Sequence, residues 1–330
     1  MRIAPMMRPR LFELMLCSTL SAQLWSCGRE VEPLSAQREA LATSAIQHVF
    51  VIAMENRDTS EIYGSANAPY INGTLMKQYA KSSNWQDELP KLVSEPHYLW
   101  MEAGTNAFSD TTFTTDNDPS SSNSTGSTQH LVAQIKNATN GVSWLTYQED
   151  INSTTGACPI ASSNNYAAKH NPFVFFRDVS GSPPSKSNAS CASHTKPLTA
   201  LASDLANDRV ASYNFITPNL CHDMHGAFLC SNWNFVQAGD DWLKANLPSL
   251  IAYANGHQGV IFITWDEGNA STTLPFLIIG PHVKAGYTST IRYDHSSMLK
   301  SIEEILQLPI LPAVSSATNL ADFFQAGFYP

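Results

Sequence analysis

His48-Val-Phe-Val-Ile-Ala-Met54, closed by Glu55-Asn56, is a near-continuous apolar run that ends abruptly in a carboxylate and an amide. A strand with one wet face alternates apolar and polar residues. A strand covered on both faces, as in a parallel sheet, reads like this one. Residues 143–148, 211–217, 259–265 and 274–280 share its character, and helical patterns run over residues 198–207, 240–255 and 296–307. The alternation predicts an α/β fold, a doubly wound, mostly parallel sheet with helices on both faces. In such sheets ligands sit beyond the carboxyl ends of the strands. The polar residues that follow the strands, Glu55-Asn56, residues 218–225 and Asp266-Glu267, are therefore where chemistry is expected.

The 330 residues are 43% hydrophobic and only 14% charged, which excludes a disordered, collagenous or coiled-coil protein. The net charge is −9, with no basic block to follow a phosphate backbone, so nucleic acid is not an expected partner. Any anionic ligand must be held by local cations. Between Ser109 and Thr128, every residue except Phe113 is Ser, Thr, Asn, Asp, Pro or Gly. This reads as a long solvated loop near the site entrance.

At the start, Arg2, Arg8 and Arg10 precede an apolar stretch over residues 11–25, interrupted by Glu13. It is too short for a membrane span and has the layout of an export signal, assigned to residues 1–26. Leu24-Trp25-Ser26-Cys27 resembles a lipobox, which leaves a lipid anchor at Cys27 open. A polar tether over 27–46 and a single domain over 47–330 complete the expected organisation. The expected location is outside the cytoplasm: secreted, periplasmic or lipid-anchored at the cell surface.

Cys158, Cys191, Cys221 and Cys230 are an even set in an exported chain, so two disulfides are expected. Short loop closure favours Cys221–Cys230 and Cys158–Cys191. The competing reading is a zinc site made of Cys221, His222, His225 and Cys230.

Ser94-Glu-Pro-His-Tyr98 opens a helical pattern that stops at Gly104. Ser94 is placed at or near the N-cap, where free N–H groups favour an anion; taken alone, the serine is more simply read as a plain cap. Glu55, Asn56, Asp266 and Glu267 would meet on one rim, and like charges that close call for a hard divalent cation such as Mg, Ca or Mn, with Zn not excluded; acidic residues that merely end strands or cap the following helices are the equal alternative. His222, Asp223 and His225, with His295 beside Asp294, place imidazoles next to carboxylates. His48, His130, His170, His194, His257 and His282 are read as surface or structural residues.

Taken in order, Glu55-Asn56, Ser94-Glu-Pro-His-Tyr98, Ser143-Trp-Leu-Thr-Tyr-Gln-Glu-Asp150, Lys169-His-Asn-Pro172, Phe215-Ile-Thr-Pro-Asn-Leu-Cys-His-Asp-Met-His225, Thr264-Trp-Asp-Glu-Gly268 and Asp294-His295 resemble the phosphoesterase family of bacterial phospholipases C and acid phosphatases, within the alkaline phosphatase superfamily. The short length and the Tyr-Gln-Glu-Asp and Lys-His-Asn-Pro segments resemble the acid phosphatase branch. The resemblance implies an alkaline phosphatase-like fold, Ser94 as nucleophile, and a metal held by Glu55, Asn56, Asp266 and Glu267. It also implies a phosphate pocket lined by His222, His225 and His295, with Asp223 orienting one of them. His97 stands where the family usually has Asn, a donor to the phosphoryl oxygens.

The implied activity is that of an acid phosphatase cleaving phosphomonoesters, phosphoinositides included, through a phosphoseryl intermediate, with an acidic optimum. A phospholipase C acting on phosphodiesters is the alternative. A non-catalytic anion- or glycan-binding surface lipoprotein is a second.

Overall fold

A computed structural model describes residues 45–152 and 156–330; the expected export signal, Cys27 and nearly all of the tether lie outside the described residues. Ten strands lie among the described residues. They are β1 (His48–Met54), β2 (Ala80–Ser82), β3 (Trp85–Gln86), β4 (Trp144–Gln148), β5 (Thr195–Pro197), β6 (Tyr213–Thr217), β7 (Gly259–Trp265), β8 (Thr273–Leu274), β9 (Phe276–Ile279) and β10 (Thr288–Ser289). Eight form one sheet in the order β10-β2-β9-β7-β1-β6-β4-β5, and β3 pairs with β8.

β1 runs parallel to both β6 and β7, and β4 runs parallel to β6 and β5. The expected strand at 274–280 is β9, antiparallel to β7. The reason is length: residues 266–275 are too few for the crossover of a dozen or more residues that a parallel partner needs. The expected mostly parallel α/β sheet is thus what the chain forms, with β9 alone reversed among its eight strands.

Successive side chains of β1 serve opposite faces, as the twofold period of a strand requires. Val49, Val51 and Ala53 join a core with Tyr98 and Leu99 of the Ser94–Ala103 helix and with Met298, Leu299 and Ile302 of the His295–Ile305 helix. Phe50, Ile52 and Met54 join the other core, with Trp242, Leu243, Leu247 and Leu250 of the Phe235–Gly256 helix. Two buried faces explain why β1 lacks the alternation of a half-wet strand.

The Ser94–Ala103 helix starts one residue earlier than a capping serine would require: Val93 is the N-cap and Ser94 the first helical residue. The helix stops at Gly104, whose φ of 67° is left-handed and whose missing side chain leaves room for Val314. Disulfides join Cys158 to Cys191 and Cys221 to Cys230. The second pairing removes both thiolates from the zinc reading of Cys221, His222, His225 and Cys230, which is thereby overturned.

Candidate active site

The order β7-β1-β6 sets three carboxyl ends side by side at the middle of the sheet. Glu55 and Asn56 leave β1, Asp266 and Glu267 leave β7, and residues 218–225 leave β6. Backbone bonds continue past the strands and fix these segments to one another. Asp266 N donates to Met54 O at 3.0 Å, and Glu55 N donates to Asp223 O at 2.7 Å. Asn56 takes a left-handed φ of 42°, and its backbone N–H then reaches Asp266 Oδ1 at 3.0 Å.

Ser94 arrives from the sheet face through its helix and is 2% exposed. Its hydroxyl donates to Glu55 Oε2 at 3.1 Å and to Glu267 Oε1 at 3.2 Å, the latter also accepting Asn56 Nδ2 at 3.1 Å. Tyr98, one turn along the same helix, donates to Glu55 Oε1 at 2.5 Å. Residues far apart in the chain, Glu55, Asn56, Ser94 and Glu267, thus share one hydrogen-bonded cluster, with Asp266 tied to it through Asn56.

His170 joins this cluster, although its sequence context suggested a surface or structural residue. It closes the short Ala168–His170 turn and stacks on Tyr98, with ring centroids 5.0 Å apart. Its Nδ1 lies 3.3 Å from Glu55 Oε1 and 3.7 Å from Asp223 Oδ2. Ligand atoms of Glu55, His170 and Asp223 all fall within 4.8 Å of one another. Lys169-His-Asn-Pro172 was visible as a motif, but a 3₁₀ turn outside any strand or helix gave no reason to place it at the rim.

The donor set fits a divalent cation. Asn56 Oδ1, Asp223 Oδ2, Asp266 Oδ2 and His170 Nε2 are buried without a hydrogen-bond partner among the described residues. Burial, Asp266 and Asp223 push Glu55 well above the usual carboxylate range, and burial does the same to Asp223. Burial together with Asp266 raises Glu267 to about 8. Burial holds His170 well below the ordinary imidazole value, so it is neutral and able to donate a lone pair. Crowded carboxylates that repel one another call for a cation, and the four of them, Glu55, Asp223, Asp266 and Glu267, with an amide oxygen and one imidazole form an oxygen-rich shell.

The remaining histidines are placed differently. His222 Nδ1 lies 3.0 Å from both Glu149 carboxylate oxygens, and this hydrogen bond raises its pKa against burial. His225 donates Nδ1–H to Gly226 O at 2.7 Å, and its ring is 6.1 Å from that of His170. Asp223 Oδ1 accepts His225 N at 2.8 Å, so Asp223 both orients this turn and offers Oδ2 to the cluster.

His97 is fully buried, with Nδ1 on Val93 O at 2.8 Å and Nε2 on Asp87 Oδ1 at 2.9 Å. Burial opposes its charge, but the Asp87 bond and the field of Asp266 raise it to about 9. His295 is also buried, with Nδ1 on Glu88 and Nε2 on Trp265 O at 2.9 Å. Both rings therefore spend both nitrogens on the protein. The partners Asp87 and Glu88 lie in the loop after β3, whose two-residue length carries no periodic signal.

The polar loop over 109–128 passes the start of the Ser94–Ala103 helix. Glu95 accepts Asn117 N at 2.8 Å and Thr115 Oγ1 at 3.0 Å, and Asp116 pairs with Lys169, next to His170.

The profile of the phosphoesterase family matches residues 91–309. A phosphatidylinositol-3-phosphatase of Mycobacterium tuberculosis is 27% identical over 290 residues, which cover 86% of each chain. A probable acid phosphatase of Kluyveromyces lactis is 26% identical across 84% of this chain and 65% of its own length. Among solved structures, murine ectonucleotide pyrophosphatase/phosphodiesterase 5, in complex with AMP, superposes with a TM-score of 0.54 at 10% identity, over 84% of this chain and all of that one. At that identity the likeness shows the fold alone, shared at a TM-score of 0.51 and 10% identity with a Vibrio parahaemolyticus protein described as belonging to the alkaline phosphatase superfamily.

Proposed function

The chain belongs to the phosphoesterase family and is a phosphoric ester hydrolase, and from that premise we propose that it is an exported phosphatase working through a phosphoseryl intermediate on Ser94. The observation that carries this reading is the Ser94 hydroxyl at a helix start, bonded to Glu55 and Glu267 and flanked by buried ligand atoms. An alkoxide at that position gains from the positive end of the helix. The two disulfides support an oxidising compartment, and no helix of the described residues is long and apolar enough to cross a membrane.

Glu55, Asn56, His170, Asp223, Asp266 and Glu267 would hold a divalent ion such as Mg, Ca, Mn or Zn. When bound it supplies charge neutralisation at the phosphoryl oxygens and a lower pKa for the serine hydroxyl. Ser94 Oγ attacks phosphorus in line and gives its proton to the carboxylate it already bonds, Glu267 or Glu55. The leaving alcohol takes a proton from His222, kept protonated by Glu149, or from His225. Water then hydrolyses the phosphoserine. His97 and His295 act as positioning residues: His97 ties Val93, the residue before Ser94, to Asp87, and His295 ties the end of β7 to Glu88. An acidic optimum belongs to this reading, because the acid must carry its proton at the start of the cycle.

Phosphomonoesters are the proposed substrates, and the name of the mycobacterial relative supports phosphoinositides among them. Wild type and Ser94→Ala, each with and without added divalent metal, assayed on p-nitrophenyl phosphate and p-nitrophenyl phosphorylcholine, test the reading. Faster turnover of the diester would make the chain a phospholipase C. No turnover of either by metal-replete wild type would leave a binding protein.

A further inference from the structure

The three most exposed large apolar side chains of the described residues lie within six positions of one another: Phe228 at 86%, Leu229 at 61% and Trp233 at 66%. They sit on and just beyond the loop that Cys221–Cys230 closes, and that loop carries His222, Asp223 and His225. The base of the loop is fixed. Arg57 Nη2 donates to Met224 O at 2.7 Å, Gly226 N donates to Leu220 O at 2.6 Å, and Phe235 packs where a side chain on Gly226 would have to go. Phe228 follows His225 by three residues, so their Cα atoms are at most about 11 Å apart.

We propose that Phe228, Leu229 and Trp233 form a rigid tip that seats on a lipid surface and presents the active-site mouth to phosphorylated headgroups. The proposal rests on the phosphatase reading above and names its substrate class as membrane lipids. Three features select a lipid surface over a protein partner. Phe and Trp offer roughly 150–250 Å² apiece at most and Leu less, so the three together stay below the roughly 800 Å² that each partner of a standard protein interface buries. Tryptophan favours the headgroup level, where its ring is buried and its N–H stays wet. Residues 226–239 contain no charged side chain, so the tip itself does not repel anionic headgroups although the chain carries −9.

The test is flotation of the full chain with phosphatidylcholine vesicles, with and without phosphatidylinositol 3-phosphate, in a Cys27→Ser background that removes any acyl anchor. Wild type is expected to float with both vesicles, and each of Phe228→Ser, Leu229→Ser and Trp233→Ser to weaken binding about tenfold. The triple variant should hydrolyse the vesicle-borne lipid at least tenfold more slowly yet turn over p-nitrophenyl phosphate at the wild-type rate, which also reports an intact fold. Trp233→Ala alone serves as a milder second variant. Flotation unaffected by the substitutions, or none by wild type, overturns the proposal. So does a wild-type dimer that the triple variant dissociates without any vesicle binding, since the tip would then join two copies. Floating wild type that cleaves no soluble ester would instead sink the phosphatase reading and leave the tip standing.

Discussion

Ser94 and Glu55 stand 39 positions apart in the chain and 3.1 Å apart in space. Ser94→Ala is expected to lower kcat by about a thousandfold or more, as loss of a nucleophile does, while the metal content of the purified protein stays unchanged. Asp223→Asn should act in opposite senses. In metal-free protein it removes one of the mutually repelling buried carboxylates and raises the melting temperature; in metal-containing protein it weakens metal retention. Thermal unfolding beside elemental analysis checks both. His97 bears on stability through pH. Its folded pKa, about 9, is above the ordinary value, so the His97–Asp87 bond contributes fully below about pH 6.5 and is lost as pH rises through 9. Asp87 is lowered, so its share is present above its ordinary pKa and lost only in acid. His97→Gln should therefore cost about 3 kcal/mol near pH 6, and the gap to wild type should shrink by about pH 10, measured by urea unfolding.

The two disulfides hold elements of different consequence. Cys158–Cys191 spans 33 positions and encloses none of the residues 218–225 that follow β6, and Cys221–Cys230 spans nine around the segment that carries Asp223 and His225. Loop-closure entropy assigns the first about 4 kcal/mol and the second about 3 kcal/mol. Cys158→Ser with Cys191→Ser should lower the unfolding midpoint and spare kcat. Cys221→Ser with Cys230→Ser should lower both, because the site turn loses its brace. Among the strands, β1, β4, β6, β7 and β9 were legible, since burial on both faces leaves a largely apolar run bounded by polar residues. β2, β3, β5 and β10, two or three residues each, are too short to show a period and exist only through their neighbours. The start of the Ser94–Ala103 helix was legible to within one residue, because a serine suits both the N-cap and the first turn.

At the scale of the molecule, the site forms where β6, β1 and β7 end together, a consequence of strand order that the sequence shows only as polar residues after apolar runs. That signal brought Glu55, Asn56, Asp223, Asp266 and Glu267 into consideration. It could not bring His170, which reaches the cluster from a turn, nor separate His222 and His225 from His97 and His295, whose nitrogens are taken by partners from distant loops. A cation that binds only the folded chain stabilises it by mass action, about 2.7 kcal/mol at a hundredfold excess over its dissociation constant. Stripping the metal should therefore lower the melting temperature and abolish turnover together, and returning the metal should restore both. The most direct measurement is peptide mass spectrometry of enzyme quenched in acid during turnover of a phosphomonoester. Phosphate on the peptide that contains Ser94 is the predicted result. Sustained turnover with phosphate on another residue, or full activity in Ser94→Ala prepared alongside, would contradict the account.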